Sequence, residues 1–231
     1  NSVQDFDPSD NCPWANLPFA VQFNGGDRCE PSEYMTDYLT NEAVEAIQAN
    51  RNRPFFMYLS YNAVHTPLQA LKSDYDALSH IEDHTLRTYA AMIVALDRGV
   101  GKVLDELKAQ GLDENTIVIF TSDNGGANYV GLPDINEPYR GWKATFFEGG
   151  IRVPMFLQWP ARIEAGSIIE APAAYVDIFA TAANAAGAPI PQDRPMDGID
   201  LMGLIETAGA TAAQRDLFWR SDRYRVLLRD G

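Results

Sequence analysis

Apolar residues return along this chain in two alternating rhythms, one helical and one of short unbroken runs. From residue 32 or 33 to 49, Met35, Tyr38, Leu39, Ala43, Ala46 and Ile47 recur at helical spacing, with Ser32 placed to cap the first turn. Residues 83–110 repeat that spacing through Leu86, Tyr89, Ile93, Leu96, Val100, Val103, Leu104 and Leu107, and Gly111 ends the helix. Each helix is followed by an apolar run bounded by turn-forming or polar residues: PFFMYLSYN at 54–62, and TIVIFTSDNGG, whose strand covers 116–122. Both runs have the length and the aromatic and β-branched content of buried strands. Helix then buried strand, twice over, predicts an α/β fold with a helix-covered, mostly parallel sheet.

A third run, VPMFLQWP, predicts a strand at 153–160, and helices follow at about 176–186 and 201–206. The closing DLFWRSDRYRVLLRDG reads as two antiparallel strands turning at Ser221 and Asp222, the start of a small second sheet. Residues 1–32 show no sustained period and many turn formers, so they are expected to be a long loop.

With 231 residues, 46% of them hydrophobic, the chain can bury a sizeable core. A formal charge of −14 argues against general affinity for nucleic acid or anionic lipid, so an anionic substrate must meet local positive charge. No apolar stretch is long enough to cross a bilayer, and the opening NSVQDFDPSD lacks the regions of a signal peptide. A polar loop in place of an initial Met predicts processing or truncation upstream. Cys12 and Cys29 are close enough to clip the opening loop together in an exported protein, or to stay free thiols; they do not form a zinc framework.

Ligands of open α/β sheets bind beyond the carboxyl ends of strands, which singles out the polar residues after each apolar run. Asp123 and Asn124 offer a carboxylate and an amide carbonyl, the oxygen donors a hard cation takes, while Gly125 and Gly126 let the chain turn behind them. The same four residues are also ordinary turn chemistry. A hairpin turn would be followed at once by a returning strand, and none follows, which favours a metal site. His65 ends the first run and is followed by Thr66 and Pro67, a placement suited to a general acid or an anion contact. Lys143 lies between Trp142 and a glycine-rich turn, where an ammonium group could hold an anionic oxygen. His80 and His84 read as ordinary loop or packing histidines.

Four stretches, PFFMYLSYNAVHTPLQA, IVIFTSDNGG, GWKATFFEGGIRVPMFLQWP and VDIFATAANAAGAPIPQDRPMDGIDLMGLI, resemble in order and spacing the later two-thirds of an arylsulfatase-like enzyme of the sulfatase family, in the alkaline phosphatase superfamily. The resemblance implies that residues 1–210 are the later part of a catalytic α/β domain and that 211–231 begin a small carboxyl-terminal subdomain. It implies hydrolysis of a sulfate monoester, either a sulfated small molecule or a sulfated glycan, with export to the periplasm, the lysosome or the extracellular space. By position, Asp123 and Asn124 match the family's ligands for calcium, with magnesium as the other candidate. His65 matches the histidine that contacts the sulfate and protonates the leaving oxygen, and Lys143 the lysine bridging sulfate and leaving group. The 148–154 signature shapes the site.

The family's nucleophile, a formylglycine made from a Cys-x-Pro-x-Arg motif, has no counterpart in these residues. Cys29-Glu30-Pro31-Ser32-Glu33 imitates the motif, but Glu33 stands where arginine belongs and the segment is too close to His65. The isolated chain is therefore expected to lack turnover. A phosphate or phosphonate ester hydrolase of the same superfamily is the alternative enzyme, although its two-zinc members place histidine where Asn124 stands. A non-catalytic module binding calcium or a sulfated glycan is the alternative outside catalysis.

Overall fold

In a computed structural model that describes residues 2–4, 21–206 and 215–229, the chain divides into two units, Asn1–Leu112 with Asn128–Pro133, and Asp113–Ala127 with Asp134–Gly231. Among the described residues, no helix is long and apolar enough to cross a membrane.

The first unit opens with β1 (Ser2–Gln4), β2 (Val21–Gln22) and β3 (Arg28–Cys29). The segment read as a loop thus contains a small antiparallel hairpin, β2 with β3. Its turn holds Asn24 and Gly25 at φ 48° and 76°, closed by a bond from the Gly26 amide to the Phe23 carbonyl at 2.8 Å. Asn and Gly are the residues that reach the left-handed region at least cost. The pairing of Cys12 with Cys29 lies outside the described residues.

The first helical stripe forms α1 (Met35–Asn50), β4 (Gln69–Leu71) and α2 (Lys72–Ala77) follow, and the second stripe forms α3 (His84–Ala109). Ser32 is not the cap of α1; Tyr34 takes that position without a side-chain bond. In α3 the cap is Asp83, whose carboxylate accepts from the Leu86 amide at 2.7 Å, an interaction of about 1 kcal/mol. β4 and α2 stand where only a loop was expected, because three residues of strand and six of helix are too short to carry a visible period. β1 and β4 pair in parallel. Leu68 and Ala70 pack with Ala91 and Met92 of α3 to form the core. Gly99 lets α1 and α3 approach: a Cβ there would lie 2.5 Å from Thr40 Oγ1 and 3.1 Å from the Tyr61 hydroxyl. His84 bonds through Nδ1 to the Tyr75 hydroxyl at 2.9 Å, a packing role.

The run at 54–62 departs from expectation, since no strand is assigned to it. Its side chains alternate, with Phe56 and Tyr58 exposed by 78% and 84% and Phe55, Met57, Leu59 and Tyr61 partly buried. That is the two-residue period of a strand. What it lacks among the described residues is a neighbouring strand to complete the ladder.

The second unit contains β5 (Val118–Thr121), α4 (Glu148–Ile151), β6 (Met155–Gln158), α5 (Val176–Ala185), α6 (Met202–Glu206), β7 (Asp216–Ser221) and β8 (Tyr224–Arg229). β5 and β6 pair antiparallel, Val118 opposite Gln158 and Thr121 opposite Met155. β7 and β8 form the antiparallel hairpin read from the sequence, with the turn at Asp222 and Arg223. Helices and strands alternate as expected of an α/β fold, and the pairing is mixed: of four two-stranded ladders among the described residues, one is parallel. β5 is half-buried throughout, because β6 flanks it on one edge and no second described strand on the other.

Asp177, fully buried in the first turn of α5, ties the hairpin to the helix. Its carboxylate accepts from the amides of Ala174 and Ile199 at 2.7 and 2.9 Å and from both guanidinium arms of Arg215 at 2.8 Å. A buried carboxylate is tolerated only with its partners supplied in this way.

Candidate active site

β5 ends at Thr121, and after Ser122 the chain turns through Asp123, Asn124, Gly125 and Gly126. What holds this turn is backbone lying on backbone. The Gly125 amide donates to the Gly150 carbonyl at 3.0 Å, and a Cβ at Gly125 would lie 1.8 Å from the Gly149 carbonyl oxygen. No side chain fits there, which accounts for the glycine. Gly126 is clipped by Asn136, which accepts from the Gly126 amide at 2.7 Å and donates to the carbonyls of Gly126 and Gly141 at 2.9 and 3.1 Å. The Lys143 amide donates to the same Gly126 carbonyl at 3.1 Å. Asp123, Asn124 and Lys143 therefore belong to one hydrogen-bonded loop system in the second unit.

Lys143 sits in a tight turn closed by the Thr145 amide on the Trp142 carbonyl at 2.9 Å, with Ala144 held at φ 71°. A non-glycine residue in the left-handed region is held there by its surroundings. Here the Thr145 hydroxyl, donating to the Trp142 carbonyl at 2.7 Å, adds a second closure. The following α4 turn presents Glu148, which pairs with Arg152 at 3.0 Å on the surface. The Glu148 hydrogen bond, with charge from Tyr139 and Glu148, raises the Arg152 guanidinium above its ordinary value.

The Asp123 side chain is exposed, and its carboxylate has no hydrogen bond or ion pair among the described residues. Asn124 donates through Nδ2 to the Gly125 carbonyl at 2.9 Å, which leaves its amide oxygen as the second donor to a cation. The donor set suits calcium or magnesium, both of which take oxygen. It is incomplete: such ions take six or more ligands, and among the described residues no group of three His, Cys, Asp or Glu side chains could hold a metal.

His65 lies in the first unit, after the alternating run. Its amide donates to the Asn62 carbonyl at 2.9 Å, and its Nδ1–H to the Thr66 carbonyl at 2.8 Å, before a cis Thr66–Pro67 bond. That donation assigns the proton to Nδ1 and turns Nε2 into the chemically variable nitrogen.

Three residues of the second unit were missed in the sequence. Asn136 gave no signal, since it stands in a loop full of turn formers. Ser122 donates from Oγ to the Asn124 carbonyl at 2.9 Å, and Tyr175, just before α5, donates its hydroxyl to the Ser122 carbonyl. The Tyr175 phenol is pushed above the ordinary tyrosine value, first by burial and then by the negative charge of Asp123. Ser122 adjoins Asp123 and could have been suspected; the approach of Tyr175 across 53 residues could not.

The sulfatase family model matches residues 4–188, and the chain belongs to the sulfatase family. It is 38% identical over 206 residues to the steryl-sulfatase of Homo sapiens, covering 84% of this chain and 34% of that protein. It is 32% identical over 200 residues to the uncharacterized sulfatase YdeN of Escherichia coli (strain K12), covering 85% of this chain and 35% of that one. The crystal structure of Ps i-CgsB in complex with k-i-k-neocarrahexaose superposes with a TM-score of 0.83 at 31% identity, over 98% of this chain and 53% of that one. The α/β fold is thus of sulfatase type, and the chain spans about a third of the length of the curated relatives it matches, less than the two-thirds expected from the motifs.

Proposed function

We propose that this chain supplies the metal-binding and sulfate-contacting part of a sulfuric ester hydrolase. The observation that carries the reading is the Asp123–Asn124 pair: two oxygen donors at the end of β5, on a turn fixed by Gly150, Asn136 and the Lys143 amide. Asp123 and Asn124 would hold a calcium ion, which when bound would draw charge from the sulfate oxygens. Lys143 places its ammonium against the sulfate and leaving-group oxygens. His65, with Nδ1 committed to the Thr66 carbonyl, carries a transferable proton at Nε2 and delivers it to the departing alcohol oxygen. The nucleophile is a formylglycine contributed from outside these residues, as no Cys-x-Pro-x-Arg run occurs in them.

The substrate class is a sulfated small molecule or sulfated glycan, supported by the family and by the neocarrahexaose complex of Ps i-CgsB. Export is the expected placement, on family likeness alone, and fractionation of expressing cells checks it. The activity is tested with the protein expressed from its native reading frame, assayed on matched aryl sulfate and aryl phosphate esters with calcium and after chelation. Calcium-dependent turnover that prefers sulfate is expected, with none from the 231-residue chain alone. A preference for phosphate, or indifference to Asp123→Ala, would overturn the reading.

A further inference from the structure

The contacts around Asp123 have a one-sided pattern. The peptide on its amino side is held at the Ser122 carbonyl by the Tyr175 hydroxyl, and the Asn124–Gly125 peptide, one residue further on, at the Asn124 carbonyl by Ser122 Oγ, 2.9 Å away. Gly125 is fixed in turn by the Gly150 carbonyl at 3.0 Å. The main chain on both sides of Asp123 is thus pinned, while the carboxylate between the pins has no hydrogen bond or ion pair among the described residues. A loop stabilised for its own sake would use that carboxylate, as Asp83 and Asp177 are used elsewhere in this chain. Here it is held out and left to something else.

Tyr175 reaches this place because α5 is anchored beneath it. Asp177, two residues on, accepts from the Ala174 and Ile199 amides and from Arg215, and so fixes the backbone immediately around Tyr175. Tyr175 is 46% exposed, so packing alone does not explain its position. The hydroxyl bond to the strand end does.

We infer that Tyr175 is a positioning residue for the metal ligand Asp123, acting through the Ser122 carbonyl, with the Ser122 hydroxyl as the matching pin on the other side. This rests on the proposed assignment of Asp123 as a ligand. Ligands fixed before the ion arrives lose less freedom on binding, and outer contacts of this kind commonly change metal affinity by about 10- to 100-fold.

The test is calorimetric titration of calcium into the protein expressed from its native reading frame, with no substrate and no turnover measured. Tyr175→Phe removes only the hydroxyl and is expected to weaken calcium about tenfold, leaving the thermal midpoint nearly unchanged. Ser122→Ala is expected to act in the same direction and serves if Tyr175→Phe folds poorly. In an Asp123→Ala background, Tyr175→Phe should have no further effect on whatever binding remains, which a merely structural role would not produce. If Asp123→Ala weakens calcium while Tyr175→Phe and Ser122→Ala bind as tightly as the unsubstituted protein, the positioning role is wrong and the ligand assignment stands. If Asp123→Ala changes nothing, or the unsubstituted protein binds no calcium, both are wrong.

Discussion

The runs at 54–62 and 116–122 carry the same signal and meet different fates. Both are apolar, follow a long amphipathic helix and end in residues suited to catalysis, His65 after the first and Asp123 after the second. The second becomes β5 because β6 lies beside it and takes up its backbone groups. The first keeps the side-chain alternation of a strand, with Phe56 and Tyr58 turned outward, but has no ladder among the described residues. A strand is a property of two segments, since its hydrogen bonds come from a neighbour, whereas a helix satisfies its own. Hydrophobic pattern can nominate a strand; it cannot supply the partner.

The contrast can be broken most sharply at the ends of the two runs. If the unpaired run still delivers a catalytic group, His65→Ala in the protein from its native frame should slow hydrolysis of an alkyl sulfate on the order of 10²–10⁴-fold. A 4-nitrophenyl sulfate, whose leaving group needs no proton, should be affected far less; equal losses on both esters would remove the general-acid role.

At the end of the paired run the backbone itself is the vulnerable part. Gly125→Ala places a methyl group 1.8 Å from the Gly149 carbonyl oxygen, with an expected loss of stability of about 1–3 kcal/mol, read as a lower denaturant midpoint. An unchanged midpoint would mean that the two loops are not packed as described.

Tyr61 tests what holds the unpaired run, since its hydroxyl meets Thr40 Oγ1 at 2.8 Å. Tyr61→Phe should cost about 1 kcal/mol at neutral pH. Burial raises the Tyr61 phenol most, the Thr40 hydrogen bond opposes that, and the Asp37 charge adds to it. The neutral phenol is therefore favoured in the folded state: its contribution is complete below the ordinary value of 10.0 and is lost as pH rises through the folded one. Stability measured between neutral and strongly alkaline pH should fall less steeply in Tyr61→Phe. Tyr34 and Tyr89, raised by burial as well, keep part of the slope.

The smallest effect is expected on the outward face. Phe56→Ser and Tyr58→Ser in this chain should each stay within about 0.5 kcal/mol of the unsubstituted stability, because neither ring is packed. A loss of several times that would show that the run has a partner.

The candidate site was legible to the depth that local chemistry reaches. Oxygen donors beside paired glycines at a strand end identify Asp123 and Asn124, and placement alone nominates His65 and Lys143. Those roles belong to the proposed function. The clip made by Asn136 and the reach of Tyr175 to Ser122 were invisible, because an asparagine in a turn-rich loop and a tyrosine before a helix have many ordinary uses.

By itself the sequence determined α1, α3, α5 and α6, whose bonds and periodicity are internal, and the closing hairpin, whose strands are joined by a two-residue turn. It also carried the sulfatase family. Only the tertiary structure decided which apolar run gained a partner, which glycines touch backbone, and that the peptides around Asp123 are held while its carboxylate is not. Apart from the local Ser122–Asn124 bond, those outcomes depend on atoms far apart in the chain arriving within about 3 Å of one another, and no local pattern encodes that distance.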